Sequence, residues 1–441
     1  MRAYSSIGVE KYITLGFLSV LLAGTLFLWG TCRLGGVGMS PADSLFMSAS
    51  AVCVTGFSTV ENIAALPLPS QIVILILVQF GGVGIMGAAT ILSMMTGQRL
   101  GLRHRLFIAG EIGVDSPVGV LGVLRFVFIY TVSFELAGAC LYYPEFSATG
   151  LSPGMSAYYS IFHSVSSFCS SGLSLYPDSL ERFNSAFLIP ATTMTLMTIG
   201  GIGFPVMAEL GDLRRGRIKF LSPYSKIVLV STAAFTAMGV ILFALFEGNG
   251  AFSGMPLPTR MWNALFACVS ARGGGFRMVP FEGWSPEGTM ITLFFMFIGA
   301  APFSTAGGLK ITTFAVLLLA ALSELKQEED IAVYGRKIPY STVRRALALA
   351  FIYILTLFIA VCALSKLERF PFDSIVFDAV SALGTTGLSS GITEGLSTAG
   401  KIVIVLLMFW GRVGILTFSY SLVAREKQEN VRFPETNIPI G

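Results

Sequence analysis

The sequence predicts an all-α integral membrane protein built from four copies of one unit. Two observations support this prediction: the composition is very apolar, and a pair of glycine-containing elements recurs four times. The 441 residues are 54% hydrophobic and only 12% charged, with a mean hydropathy of +0.76, whereas soluble domains carry about 25% charged residues. So few charges cannot cover a surface in water, and we therefore expect a lipid bilayer around the chain.

Eight apolar segments are long enough to cross that bilayer as helices. A hydrocarbon core of about 30 Å needs about 20 apolar residues in a helix, and membrane strands would be shorter and alternate in polarity. Most of the lysines and arginines fall on one side if the N-terminus is inside, which predicts a multi-pass protein of the cell inner (plasma) membrane with both termini cytoplasmic. The predicted spans are 12–32, 70–96, 122–143, 184–208, 227–246, 288–322 (too long for one simple span), 346–364 and 402–424.

One short element recurs about every 110 residues. Each copy has a glycine followed by phenylalanine or leucine, and each follows an apolar run that is too short to span a bilayer. Such a run is typical of a re-entrant half-helix. The copies are SAVCVTGFS with Gly56, SSFCSSGLS with Gly172, CVSARGGGFR with Gly275 and SALGTTGLS with Gly387.

A second glycine stretch follows each of these elements. In its first copy, Gly82, Gly84 and Gly87 spell G-x-G-x-x-G, the fingerprint of dinucleotide binding. That fingerprint needs a preceding strand and an acid about 20 residues on, whereas here the surroundings are a long uncharged apolar run. We therefore interpret these glycines as sites of close helix packing. The copies are LVQFGGVGI, LMTIGGIGF, the diverged FMFIGAAPF and LMFWGRVGI, with Gly81, Gly200, Gly299 and Gly411.

Together the elements predict four M1–pore helix–M2 repeats. The eight transmembrane helices and four re-entrant pore helices would be arranged pseudo-four-fold around one central pore. Non-helical backbone at membrane depth is tolerated only where protein buries it or water lines it. The predicted repeats are residues 1–98, 99–221, 222–335 and 336–424, and a cytoplasmic C-terminal tail covers 425–441.

The glycine strips of the four repeats predict a selectivity filter. Backbone carbonyls from four loops can replace the hydration shell of an ion, glycine permits the backbone conformations that this requires, and the C-terminal ends of half-helices attract cations. The predicted ion-binding residues are Val54, Thr55, Gly56, Ser170, Ser171, Gly172, Gly273, Gly274, Gly275, Thr385, Thr386 and Gly387.

At these motifs the chain resembles the Trk/Ktr/HKT superfamily of potassium transporters, most of all the KtrB-type membrane subunits of bacterial Ktr systems. The resemblance covers essentially the whole chain. It implies potassium as the transported ion, because a glycine in all four strips goes with potassium preference. Serine in the first strip is associated with sodium permeation in plant relatives. SARGGGF departs from the more usual ARTAGF, so we expect Gly273 and Gly274 to loosen the third strip.

A gate is predicted in the over-long segment 288–322. Pro302 and the pair Gly307-Gly308 weaken a helix, so GAAPFSTAGGLKITT (299–313) is expected to form a loop between two half-helices. Arg412 is an expensive intramembrane charge, with a structural salt bridge to Glu135 as the alternative role. The resemblance implies that loop and arginine form a barrier below the filter. The predicted gate residues are Pro302, Phe303, Ser304, Thr305, Ala306, Gly307, Gly308, Lys310 and Arg412.

No enzymatic constellation, cofactor or nucleic-acid partner is predicted for this chain. The resemblance implies a homodimer and a cytoplasmic ring of RCK-type (KtrA-like) subunits, which would carry the regulatory nucleotide. Loops 99–105, 214–219 and 323–345 are candidate docking surfaces, although a solvated positive inner face explains their charge equally well. The alternative function is a sodium-coupled or alternating-access secondary cation transporter, for which inverted repeats would be expected.

Overall fold

The structure is a computed structural model that describes residues 9–84 and 120–414. These ranges are mostly helical, as predicted, and one small β-hairpin (Ala332–Val333 with Arg336–Lys337) lies in the loop 323–345. Parts of two predicted spans (85–96 and 415–424), the loop 99–105 and the tail 425–441 lie outside the described residues. The helices are α1 (Val9–Leu34), α2 (Pro41–Val52), α3 (Leu68–Val83), α4 (Val120–Ala148), α5 (Pro153–Phe168), α6 (Leu188–Ile202), α7 (Phe204–Arg214), α8 (Pro223–Phe246), α9 (Leu257–Ala271), α10 (Pro286–Phe297), α11 (Ile311–Leu325), α12 (Tyr340–Leu367), α13 (Phe372–Gly384) and α14 (Thr398–Val413).

Four helices in the described ranges are long and apolar enough to cross a membrane: α1, α4, α8 and α12. Each is the first long helix of one predicted repeat. Large apolar side chains lie exposed along them, for example Leu26 on α1 at 68% and Phe351 on α12 at 69%. Exposed apolar surface of this extent is unfavourable in water, and it fits contact with lipid chains.

The four predicted half-helices are α2, α5, α9 and α13. Each packs against the long helix that precedes it and against the helix that follows it, so that most of the side chains of α2, α5 and α13 are buried. Ser40 and Ser152 cap the N-termini of α2 and α5 through their hydroxyl groups, and a proline follows each serine. Serine at the cap and proline at the first helical position are both typical of helix starts.

Three of the second helices end at a glycine within the predicted spans. The helices α3, α6 and α14 end at Gly84, Gly203 and Gly414, which have φ angles of 91°, 95° and 91°, in the left-handed region that favours glycine. The prediction of one continuous span over 184–208 is wrong, because α6 and α7 meet at Gly203 with a bend of 97°. The prediction of a broken helix in 288–322 is confirmed, since α10 and α11 are separate helices.

The packing between repeats is cyclic. The helix α3 packs against α5, α6 against α9, α10 against α13, and α14 against α2. The second helix of each repeat therefore contacts the half-helix of the next, and the fourth repeat returns to the first. An ion pair between Lys401 and Asp43, at 2.7 Å, joins α14 to α2 at this closing contact. The segments that follow the four half-helices contact one another at Gly56, Gly172, Gly275 and Gly387.

Candidate functional site: four converging glycine strips

The four glycine strips share one unusual backbone conformation. The first residue of each strip has a positive φ angle, and so does the strip glycine two positions later. A positive φ is rare for a residue with a side chain and costs about 1–3 kcal/mol, so the surrounding contacts must hold the backbone there. The φ angles are 54° at Val54, 104° at Gly56, 60° at Ser170, 72° at Gly172, 111° at Gly273, 71° at Gly275, 49° at Thr385 and 87° at Gly387.

The third strip is the one that departs from the usual motif, and its extra glycines are closely packed. Gly273 occupies the position of positive φ that Val54, Ser170 and Thr385 occupy elsewhere. A Cβ at Gly273 would lie 2.8 Å from the Cβ of Ala306, and a Cβ at Gly274 would lie 2.9 Å from the Cα of Ser270. Both glycines therefore permit close contacts.

The strips contact one another in a closed ring. A Cβ on Gly172 would lie 2.6 Å from the Cα of Gly275, and a Cβ on Gly387 would lie 2.9 Å from the Cα of Gly56. Added methyl groups at Gly56 and Gly275 would collide with the carbonyl oxygens of Ser171 and Thr386. Because real Cβ atoms do not approach so closely, only glycine fits at these four positions.

The carbonyl oxygens just before the four glycines lie at these contacts. They belong to Thr55, Ser171, Gly274 and Thr386, and each lies close to where a Cβ would stand on the glycine of a neighbouring strip. No donor within residues 9–84 and 120–414 hydrogen-bonds to any of the four oxygens. Buried carbonyl oxygens are nearly always paired, so this ring of unpaired acceptors needs a ligand or water to satisfy it.

Serines on the half-helices hold the strips in place. The carbonyl oxygens of Ser50, Ser166, Ser270 and Ser381 accept hydrogen bonds from strip amides at 2.7–3.3 Å. Their hydroxyls add a second bond: those of Ser50 and Ser381 accept from the amides of Gly56 and Gly387, at 3.1 and 3.0 Å. Those of Ser166 and Ser270 donate to the carbonyl oxygens of Leu173 and Phe276, at 2.7 and 2.5 Å.

These serines were not among the predicted site residues. A signal for them was present, because each copy of the glycine element contains a serine five or six residues before its glycine. Their polar groups pair with the backbone of the strip itself, which explains why a serine is retained in an otherwise apolar half-helix.

A second position on three of the half-helices contacts the turn that follows the strip. It lies three residues before the strip-binding serine and is occupied by Met47, His163 and Asp378, which hydrogen-bond to the hydroxyls of Ser58, Ser174 and Ser389. His163 is buried, and its Nε2 lies 3.0 Å from the Ser174 hydroxyl.

Asp378 fills that position in the fourth repeat and is fully buried. Its carboxylate accepts four hydrogen bonds at 2.8–3.0 Å, from the backbone amide of Ser390 and from the hydroxyls of Ser389, Ser390 and Thr393. A buried carboxylate is stable only when it is paired in this way. Asp378 therefore fixes the segment 389–393 at the outer end of the fourth strip.

The loop 299–313 lies against the first residues of three strips. Thr305 Oγ1 is 3.2 Å from Ser170 Oγ, and the amide of Gly307 donates to Thr385 Oγ1 at 2.9 Å. Ala306 contacts Gly273. The loop is also held by α6, since Thr305 N donates to Gly200 O at 3.2 Å.

The other predicted gate residues surround this contact. The carbonyl oxygen of Phe303, which has a φ of 56° and is partly exposed, accepts from the amide of Phe204 at 3.1 Å. The carbonyl oxygen of Pro302 accepts from the Tyr224 hydroxyl at 3.1 Å. Ser304 donates to Ala301 O at 2.6 Å. Gly308 lies near Gly384 O, and Lys310 Nζ donates to Ala306 O at 2.7 Å.

Arg412 connects the loop to the first repeat. Its guanidinium donates to the carbonyl oxygen of Thr305 in the loop and to those of Gly81 and Gly82 on α3. Glu135, the alternative partner, instead accepts from Gln79 Nε2 at 3.3 Å and forms no ion pair with Arg412. The arginine therefore links the loop to the first repeat through α3.

The packing interpretation of the second glycine stretch is confirmed at Gly81, Gly200 and Gly411. Methyl groups there would collide with the carbonyl oxygens of Val52, Phe168 and Leu383, which lie in the last turn of each half-helix. A methyl group at Gly299 would instead collide with the Gly307 carbonyl oxygen within the loop 299–313. Residues 68–83 form a helix, so the strand that a nucleotide fingerprint needs is not there. Gly87 lies outside the described residues.

Comparisons with known proteins agree with this architecture. A sequence model of the TrkH family, described as cation transport protein, matches residues 30–432. The Ktr system potassium uptake protein B of Bacillus subtilis is 33% identical over 98% of this chain and 96% of its own length. The potassium/sodium uptake protein NtpJ of Enterococcus hirae is 32% identical over 96% of this chain and 95% of its own.

A solved structure shares the fold. The crystal structure of the potassium transporter TrkH from Vibrio parahaemolyticus superposes with a TM-score of 0.77 at 20% identity, and covers 96% of this chain and 87% of that one. The apolar helices and the family match define a membrane protein of the cation transporter class. The chain belongs to the TrkH family of cation transport proteins, and the resemblance stated from its motifs is confirmed.

The role of Asp378 can be tested by D378A. The substitution leaves the Ser390 amide and three hydroxyls without their acceptor, at a cost of about 1–3 kcal/mol for each buried group left unpaired. We expect faster hydrogen–deuterium exchange in the segment 389–393, measured by mass spectrometry on the purified protein. D373A, at an exposed position on the same helix, is the control and should leave this exchange unchanged. Equal exchange in D378A and the parent would contradict the role.

Proposed function

We propose that this protein is a channel-like potassium uptake transporter with one pore formed by four M1–pore helix–M2 repeats. The observation that carries the proposal is the ring of carbonyl oxygens from Thr55, Ser171, Gly274 and Thr386, which lack donors among the described residues. A dehydrated monovalent cation is the ligand that such a ring suits. The half-helices end at this ring, so their C-terminal dipoles add negative potential at the same place.

Glycine at all four strip positions supports potassium as the ion. The relatives from Bacillus subtilis and Enterococcus hirae are named for potassium uptake and for potassium/sodium uptake, so sodium is the competing ion to test. Entry needs no ATP hydrolysis by this chain, because the membrane potential supplies about 2.3 kcal/mol per charge per 100 mV. We also propose that the protein lies in the plasma membrane with its termini on the cytoplasmic side, which the uneven distribution of lysine and arginine supports.

We further propose that the loop 299–313 and Arg412 form the gate. The loop contacts the first residues of the second, third and fourth strips, and Arg412 bonds the loop to α3 of the first repeat. A positive charge at this level repels a cation that leaves the filter. Opening then requires Arg412 to release Thr305 and the loop to move away from the strips.

The assembly that we propose is a homodimer regulated by a cytoplasmic ring of RCK-type subunits. The name of the Bacillus subtilis relative, a protein of a Ktr system, supports a separate subunit, and the regulatory nucleotide would bind there. The loops 214–219 and 323–345 are the docking surfaces within the described residues.

Rubidium uptake into potassium-uptake-deficient cells tests the filter. We expect the parent to take up rubidium along the electrochemical gradient, with little competition from sodium and with no fixed sodium stoichiometry. In G56S, the added side chain meets the Ser171 carbonyl oxygen at a φ of 104°. Rubidium uptake relative to sodium should therefore fall at least about tenfold, which corresponds to about 1.4 kcal/mol.

Gly150 offers a matched control for that substitution. It has a φ of 87°, but a Cβ there would meet nothing within 4 Å. G150S should therefore keep the parent's preference for rubidium. Equal rubidium and sodium permeation in the parent would refute potassium selectivity, and a fixed rubidium-to-sodium coupling ratio would favour the secondary transporter.

Substitution of Arg412 tests the gate. R412A removes both the positive charge and the hydrogen bonds to Thr305 and α3, and we expect unidirectional rubidium flux into proteoliposomes to rise by about tenfold, as removal of about 1.4 kcal/mol of repulsion would give. R412K keeps the charge but loses the forked hydrogen bonds, so its flux should lie between those of R412A and the parent. Unchanged or lower flux in a well-folded R412A would defeat the gating role.

A further inference from the structure

Arg277 differs in size and charge from the residues at the corresponding position of the other repeats. It lies two residues after Gly275, where the other three strips have Ser58, Ser174 and Ser389. A small hydroxyl side chain is replaced there by a long cation, immediately beyond the ring of strip glycines.

The outer end of the third strip is bound to a loop of the second repeat at this residue. The amide of Arg277 donates to Ser179 Oγ at 3.1 Å, and its carbonyl oxygen accepts from the amide of Leu180 at 3.0 Å. Its Nε donates to Glu181 Oε1 at 2.5 Å, which makes a charge-assisted ion pair. Backbone and side chain are thus held by three consecutive residues.

The pair stands at the mouth of the proposed pore. A cavity of about 180 Å³ is lined by all four strip glycines and by the residues just beyond them. Its charged lining residues within the described ranges are Glu61, Glu394 and Arg277, so Arg277 is the sole cation there. Glu61 and Glu394 are exposed, and the Arg277 and Glu181 side chains are 36% and 19% exposed.

We propose that Glu181 neutralises Arg277 so that the outer mouth retains a net negative potential and gathers cations before they enter the filter. An unpaired guanidinium in the wall of the cavity that the strip glycines line would repel an arriving cation. When Glu181 pairs it, the negative field of Glu61 and Glu394 is stronger at the mouth. Glu181 is then a positioning residue. It favours the capture of external cations by pairing with Arg277, and it does not itself contact the ion. This inference rests on the proposed function, since it assumes that the cavity is the entrance of the ion path.

Rubidium uptake by whole cells, in which the outer face meets the medium, tests the inference. In E181Q we expect the half-saturating rubidium concentration to rise about three- to tenfold at low ionic strength, because the Arg277 charge is no longer paired. The shift should shrink when ionic strength rises from about 0.01 M to about 0.15 M, where the Debye length falls from about 30 to about 8 Å. The maximal rate should change little, because the filter is untouched.

The double variant E181Q/R277Q separates charge from structure. It should return to within about twofold of the parent's half-saturation, although it also lacks the ion pair. D373N, which removes an exposed carboxylate on α13 that does not line this cavity, is the control and should match the parent.

Two results would overturn the inference. One is a parent-like half-saturation in E181Q at low ionic strength, and the other is a defect in E181Q that persists in the double variant. Neither result bears on the proposed pore. In this assay, absence of rubidium uptake by the parent is the result that would contradict the pore.

Discussion

The close approach of four backbone segments governs the rest of this structure. At Gly56, Gly172, Gly275 and Gly387 the chain passes so near to its neighbours that no Cβ fits, and the backbone lies in the left-handed region. Such a conformation is unfavourable for an isolated strip, so it must be imposed from outside. The half-helices impose it through their serines, whose backbone and hydroxyl groups bind the strip on one side and leave the carbonyl oxygens free on the other.

A second glycine in each repeat also permits a close approach between backbone segments. Gly81, Gly200 and Gly411 bring the second helix against a carbonyl in the last turn of its half-helix, and Gly299 lies against the Gly307 carbonyl within the loop. This packing sets the loop 299–313 and Arg412 within hydrogen-bond distance of the strips and of α3. The gate that we propose would therefore be coupled directly to the strips, since the loop hydrogen-bonds to Thr385 and Ser170.

Much of the fold and of the candidate site could be predicted from the sequence, for reasons that differ between elements. Repetition of the glycine element predicted the half-helices and the strip residues, because four diverged copies of one pattern report a shared local geometry. The interruption at Gly203 was missed, since glycine in an apolar run is equally compatible with helix packing. The partner of Arg412 could not be predicted either, because it comprises backbone carbonyls that any residue supplies. The pairing of Arg277 with Glu181 joins two repeats, and no local pattern predicts it.

A rubidium anomalous-difference map from crystals of the protein tests the central claim most directly. The account predicts a peak on the common axis between the carbonyl oxygens of Thr55, Ser171, Gly274 and Thr386. It would be contradicted by strips that lie apart or face lipid, or by rubidium bound only at sites away from this ring.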